Sequence, residues 1–162
     1  MDGKLVQFDG AAALPPITAV GGKGYSLIRM RREGLPVPPG FVLTVDFFEP
    51  WTAAITASKL WREFLDAPPE EMTDRAAALP SLAGDLSFDK DQARLVGEAL
   101  RQLEDFPLFA VRSSSPEEDL AGASFAGGYE TILGASRDTL ESAVRRAYAS
   151  CLEPRVFVYK RQ

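Results

Sequence analysis

The chain has 162 residues, a formal net charge of −5 and 46% apolar residues, enough for one domain with its own core, since a chain near this size buries roughly 68–70% of its unfolded surface. It contains no histidine and one cysteine, which excludes a Ser-His-Asp triad, a Cys-His pair, a histidine metal site, a phosphohistidine and an internal disulfide within these residues. The acidic balance argues against a general nucleic-acid or anionic-membrane surface, no apolar run reaches the ~18 residues of a membrane span, and Met1-Asp2-Gly3-Lys4 carries no signal pattern, so a cytoplasmic protein is expected.

Lys4–Phe8 reads as a short strand, and Gly10–Pro16 as a loop. Gly21-Gly22 reads as a tight turn feeding a helix to about Arg32, with Gly34 as its stop. Leu35-Pro36-Val37-Pro38-Pro39-Gly40 is stiff and extended. Phe41–Thr44 reads as a buried strand, with Thr44 placed to cap the next element. Phe47 to about Phe64 is aromatic-rich and reads as helix interrupted near Pro50. Glu70–Leu79 reads as one short helix between Pro68-Pro69 and Pro80.

Asp89-Lys90-Asp91-Gln92 has the form of a capping box. Ala93, Val96, Leu100 and Leu103 then repeat at helical spacing, which predicts a helix to about Glu104. Leu108–Val111 reads as a buried strand. Arg112–Gly128 is polar and rich in Ser and Gly, too long for an ordinary connector, and therefore points to function. Tyr129–Leu133 reads as a strand. Asp138-Thr139-Leu140-Glu141 has a box-like start, after which Leu140, Ala143, Val144, Ala147, Tyr148 and Cys151 share a helix face. A last helix is expected over Arg155–Arg161, where Val156–Tyr159 presents an uncovered apolar segment compatible with self-association.

Three stretches could carry chemistry. Val20-Gly21-Gly22-Lys23-Gly24 places glycines and a lysine before a helix, where backbone N–H groups and the helix dipole favour an anion. It matches neither the P-loop nor G-x-G-x-x-G, and a glycine turn with a solvated lysine is the competing reading. Arg112-Ser113-Ser114-Ser115 follows a strand, and arginine forks onto phosphate oxygens. The alternative pairs Arg112 with Glu117, Glu118 or Asp119 and makes the serines turn caps. Gly122–Gly128 surrounds Phe125 with small residues, as in a flap whose backbone closes over phosphates, or a hairpin tip with Phe125 turned inward. Cys151 and the tryptophans read as core.

Taken together, these stretches resemble the nucleotide-binding domain of the phosphoenolpyruvate synthase and pyruvate phosphate dikinase family. Gly21–Thr44, G-G-K-G-Y-S-L through G-L-P-V-P-P-G-F-V-L-T, is similar to its opening. Val111–Leu133, V-R-S-S-S-P-E-E-D-L-A-G-A-S-F-A-G-G-Y-E-T-I-L, resembles its second hallmark, and Ala143–Lys160 its next helical stretch. The resemblance runs from about residue 15 to the end and is weakest over about 50–105. It implies an α+β fold, the N-terminal portion of an ATP-grasp domain spanning residues 1–162, with a short mixed sheet and flanking helices.

It further implies that ATP is bound, with Lys23 and Arg112 on its phosphates and Arg112 in the catalytic role. Ser124, Phe125, Ala126, Gly127 and Gly128 would form the loop over the triphosphate, with Thr131 beside it. Magnesium ligands, the rest of the ATP-grasp domain, the phosphohistidine domain and the pyruvate-binding domain would lie outside this chain, which is then expected to be inactive alone. Three departures bear on the loop and the end: Gly128 and Tyr129 where glutamine is usual, Gly134 where asparagine often stands, and Tyr159-Lys160 for Tyr-Arg. The same opening motifs occur in rifampicin phosphotransferase, so an antibiotic-modifying enzyme is the alternative within the class. A half-domain serving as an interaction module is the alternative outside it.

Overall fold

The computed structural model describes residues 3–8, 13–114 and 130–154. Those residues form four short strands and six helices: β1 Leu5–Gln7, α1 Ile17–Arg32, β2 Phe41–Leu43, α2 Glu49–Ala57, α3 Lys59–Leu65, α4 Met72–Ala76, α5 Lys90–Arg101, β3 Phe109–Arg112, β4 Thr131–Ala135 and α6 Leu140–Ser150. The fold is mixed α+β. The expected single mixed sheet is not found among the described residues. There are two separate antiparallel pairs, β1 with β2 and β3 with β4. The chain divides into two units. One holds the described residues up to Glu49 together with Phe88–Phe106 and Ser114, and the other holds Pro50–Ser87, Pro107–Ser113 and 130–154.

In the first unit, β1 and β2 pair in the register Leu5↔Leu43 to Gln7↔Phe41. Backbone bonds from Phe8 N–H to the Gly40 carbonyl (2.8 Å) and from Thr44 N–H to the Lys4 carbonyl (3.0 Å) lengthen the ladder at both ends. Helix α1 lies close to β2: a Cβ on Gly24 would stand 3.1 Å from a methyl of Val42. The helix ends as the sequence predicts. Gly34 takes φ +78°, its N–H donates to the Arg31 carbonyl (3.1 Å), and Leu35 N–H donates to the Met30 carbonyl (3.0 Å), the paired bonds of a Schellman stop. Arg29, Arg31 and Arg32 occupy the last turn, where the dipole favours cations.

Thr44 stands at the start of the 3-10 turn Val45–Phe48 but does not cap it. Its hydroxyl donates instead to the Gly3 carbonyl (2.8 Å). The strand β2 is half-buried rather than buried. In α5 the capping box forms in both directions: Gln92 N–H donates to Asp89 (2.8 Å), and Asp89 N–H to the Gln92 side chain (2.9 Å). The inward face is Gln92, Val96, Ala99 and Leu103, so Val96 and Leu103 of the predicted row point inward, Leu100 is half-buried, and Ala93 is exposed. Gln92 takes the inward place expected of Ala93 because its amide also donates to the Phe47 carbonyl (2.7 Å). Phe47 is fully buried and meets Phe48 and Phe88 edge to face, a favoured aromatic arrangement.

In the second unit the helical break falls at Ser58, not at Pro50. Pro50 sits in the first turn of α2, where its missing N–H costs no helix bond. Ser58 caps α3 by accepting from Trp61 N–H (3.1 Å). The predicted Glu70–Leu79 helix is α4 followed by a 3-10 turn, Leu79–Ala83. The core gathers Ile55, Phe64, Ala76, Leu79, Ala83 and Leu152. Helix α6 buries Leu140, Ala143, Val144 and Ala147, as its spacing predicts. Its start differs from expectation: Thr139 accepts from Ser136 N–H (2.9 Å) instead of capping the helix. Cys151 is half-buried rather than in the core, with its thiol 3.7 Å from the Ala147 carbonyl. The predicted helix Arg155–Arg161 and the segment Val156–Tyr159 lie outside the described residues.

Tyr148, half-buried on α6, stands edge-on to Trp51 and shares a hydrogen bond with Thr52 (2.9 Å). Burial pushes its phenol above the usual value, the Thr52 bond opposes this, and the nearby Cys151 adds to the rise. A group that holds its proton more tightly when folded contributes stability below its unfolded pKa and loses it as pH rises. Chemical denaturation above pH ~10 should therefore show falling stability in the wild type and a flatter profile in Tyr148→Phe. Replacing Gln92 by Leu strands the Phe47 carbonyl and half the capping box, and should cost about 2–3 kcal/mol in the same assay.

Candidate functional site

Helix α1 is two helical segments joined by a break. At Gly21 the backbone takes φ 71°, ψ 170°, a combination only glycine adopts without strain. The helix resumes at Gly22 and carries Lys23 in its first turn. The sequence reading of a glycine turn feeding a helix is therefore correct at Gly21, with one addition: a turn of helix, Ile17–Val20, precedes the break.

In an unbroken helix Gly24 N–H would donate to the Val20 carbonyl four residues back. The break at Gly21 opens that bond, and the hydroxyl of Ser114 fills it. Ser114 Oγ accepts from Gly24 N–H (2.9 Å) and donates to the Val20 carbonyl (2.8 Å). Insertion of a side chain into the helical ladder is a recognised cause of a sharp kink. A Cβ on Gly21 would overlap the Ser114 carbonyl and hydroxyl, so both the backbone conformation and the close approach require glycine there. The first and second sequence motifs thus meet at one hydroxyl. Lys23, half-buried, lies between the two halves of this relay, beside a helix start whose dipole favours anions.

Arg112 ends β3 in the second unit. It is exposed, and its guanidinium has no hydrogen-bond or ion-pair partner among the described residues. It pairs across the sheet with Thr131, also exposed, in the register Val111↔Ile132, Arg112↔Thr131. The structure thereby brings together two of the sequence-predicted site residues. The strand β3 alternates half-buried and exposed residues rather than being buried; Leu108, just before it, is 60% exposed and Leu133 of β4 76%. Toward Phe109 the register shifts by one residue, and Leu133-Gly134 oppose Ala110 as a bulge with Gly134 at φ +73°.

Glu130, preceding β4, is held by a bond from its N–H to Ser150 Oγ (3.2 Å) and by an ion pair with Arg146. Ser150 is buried and donates in turn to the Ala147 carbonyl (2.7 Å). The expected loop residues Ser124, Phe125, Ala126, Gly127 and Gly128, and the acidic run Glu117, Glu118 and Asp119, lie outside the described residues. Sequence reasoning did not single out Ser114. Three consecutive serines gave the signal, but nothing in their spacing says which one turns toward the glycines.

Residues 17–162 match the family described as pyruvate phosphate dikinase, AMP/ATP-binding domain. A probable phosphoenolpyruvate synthase of Methanocaldococcus jannaschii is 31% identical over 156 residues, covering 90% of this chain and 13% of that protein. The phosphoenolpyruvate synthase of Escherichia coli is 31% identical over 168 residues, 96% of this chain and 21% of that protein. A rifampicin phosphotransferase of Streptomyces sviceus is 31% identical over 159 residues, 90% of this chain and 18% of that protein. The chain belongs to the AMP/ATP-binding domain family of pyruvate phosphate dikinase. It spans between 13% and 25% of the length of the phosphoenolpyruvate synthases it matches.

The Gly21 geometry generates a paired prediction. Gly21→Ala should cost more than about 2 kcal/mol by urea denaturation, because it meets both a forbidden backbone conformation and the Ser114 carbonyl. Gly97→Ala, in the middle of α5 with open space around it, should instead stabilise by about 0.5–1 kcal/mol.

Proposed function

We propose that this chain is the phosphate-holding part of an ATP-grasp nucleotide domain, spanning residues 1–162, in a phosphoenolpyruvate synthase-like dikinase. Lys23 binds phosphate oxygens as a point charge at a helix start. Arg112 binds them as a planar fork at a strand end and stabilises charge during transfer. Thr131, its cross-strand neighbour, offers a hydroxyl to the same phosphates, and Ser124–Gly128 close over them. ATP supplies the phosphoryl group. The contribution of these residues is positioning and charge, which is most of what phosphoryl transfer requires.

The acceptor in this reading is a carrier histidine elsewhere in the parent protein, since none of the 162 residues is histidine. Phosphate then passes to pyruvate. Among the described residues no three carboxylate, thiol or imidazole groups converge, and we assign the magnesium ligands to none of them. The chain alone binds nucleotide without turning it over. Such a reaction belongs to the cytoplasm, and no described helix is long and apolar enough to cross a membrane. The likeness to a rifampicin phosphotransferase supports the second reading, in which the nucleotide half is the same and the final acceptor is an antibiotic.

The observation that carries the proposal is the break at Gly21, which restarts a helix with Lys23 in its first turn, in a chain of an AMP/ATP-binding family. Calorimetric titration of the 162-residue chain with magnesium and a non-hydrolysable ATP analogue tests it. Saturable binding is expected, weakened about tenfold or more in both Lys23→Ala and Arg112→Ala, the size of losing one charge-assisted hydrogen bond. Unchanged affinity in both variants would overturn it, and release of phosphate or AMP from ATP by the pure chain would overturn the claim of inactivity.

A further inference from the structure

We infer that Ser114 is the positioning residue of the Lys23 turn: its hydroxyl substitutes for the helix bond broken at Gly21 and so fixes where the lysine stands. This rests on the reading of Lys23 as a phosphate ligand and extends it to a residue that touches no ligand.

The Val20 carbonyl and the Gly24 N–H belong to the same helical hydrogen bond, and the left-handed step at Gly21 separates them. Gly24 is buried against Val42, and Val20 is buried beside it, so neither group can turn to water without unpacking the turn. A hydroxyl is the smallest side-chain group that can accept and donate at once. Ser114 does both, at 2.9 and 2.8 Å. Lys23 lies on the segment that these two bonds bracket. Without the hydroxyl, the donor and acceptor are left unsatisfied, and the cheapest relief is to re-form the direct Gly24–Val20 bond. That relief straightens the kink and moves Lys23.

A Cβ at Gly21 is excluded by the Ser114 carbonyl and hydroxyl, so the missing side chain at position 21 is what lets Ser114 approach this closely. The role is distinct from turn capping, the sequence-level alternative for these serines. The partners of Ser114 lie 90 and 94 residues away in the chain, and no local turn is involved.

A double-mutant cycle tests the inference on the 162-residue chain, read by the affinity for the magnesium-bound ATP analogue and by the exchange rate of the Gly24 amide. Ser114→Ala should weaken binding about tenfold and speed Gly24 exchange, while Ser114→Thr, which keeps the hydroxyl, should stay within about threefold of wild type. In a Lys23→Ala background the Ser114→Ala step should add less than about twofold, whereas the Arg112→Ala loss should persist undiminished in Ser114→Ala. Any of three results would overturn it: an unchanged Gly24 exchange rate in Ser114→Ala, an undiminished Ser114→Ala effect without Lys23, or equal losses in the alanine and threonine variants. If Lys23→Ala binds as tightly as wild type, the phosphate reading of Lys23 fails first and this inference fails with it. If Lys23→Ala is weak and Ser114→Ala is not, only this inference fails.

Discussion

A helix that breaks at its fifth residue leaves a carbonyl and an N–H unpaired in a place where water has little access. Here the break is allowed by Gly21 and held by one hydroxyl from a segment about ninety residues further along. The features of the first unit near the Lys23 turn depend on this constraint. A side chain at Gly24 would press on Val42, because the restarted helix runs close against it. Gly21 must lack one because Ser114 occupies its flank. The glycines that look like a flexible phosphate loop in the sequence are used in two ways, conformational freedom at Gly21 and smallness at Gly24.

The packing revises how the glycine motif would handle an anion. A glycine-rich turn before a helix ordinarily offers its N–H groups to the ligand. At Gly24 that donor is already taken by Ser114. Positive character at the turn therefore rests on the Lys23 side chain and the helix dipole more than on a ring of backbone donors. Arg112 is placed on a different basis. It ends a strand, is exposed, and is held in register by Thr131 and Val111 rather than by a salt bridge among the described residues. The two cations are thus positioned by unrelated means, one by a helical break and one by a strand register.

Much of the fold was legible because the punctuation is strong. Gly34 with its following proline marks a helix end, Asp89 with Gln92 marks a helix start, and the apolar rows of α5 and α6 give the period. Three of the differences share one physical cause: a polar side chain with a local option also took, or took instead, a distant one. Thr44 could cap a turn and instead reaches Gly3. Gln92 belongs to a capping box and also reaches Phe47, which pulls it inward and turns Ala93 out. Ser114 belongs to a serine run and reaches Val20 and Gly24. Periodicity weighs apolar side chains and is blind to such bonds. The candidate site was legible as motif wording at Lys23, Arg112 and Thr131, and the pairing of the last two is a matter of strand register that spacing alone could not supply. One departure from the family wording also loses its weight. Gly134 stands where asparagine is common, and its φ of +73° lies in the region that glycine and asparagine tolerate better than other residues.

The distance in sequence between the two halves of the Ser114 relay has a consequence for biosynthesis. Gly24 leaves the ribosome 90 residues before Ser114. At about 5–20 residues per second, that interval lasts on the order of 5–20 s. Throughout it the Gly21 break cannot be held by its hydroxyl, and the Val20 and Gly24 backbone groups are free to close a straight helix. The kinked form has to be imposed late, on a helix that has already had time to form without it, and the glycine at position 21 makes that late correction inexpensive.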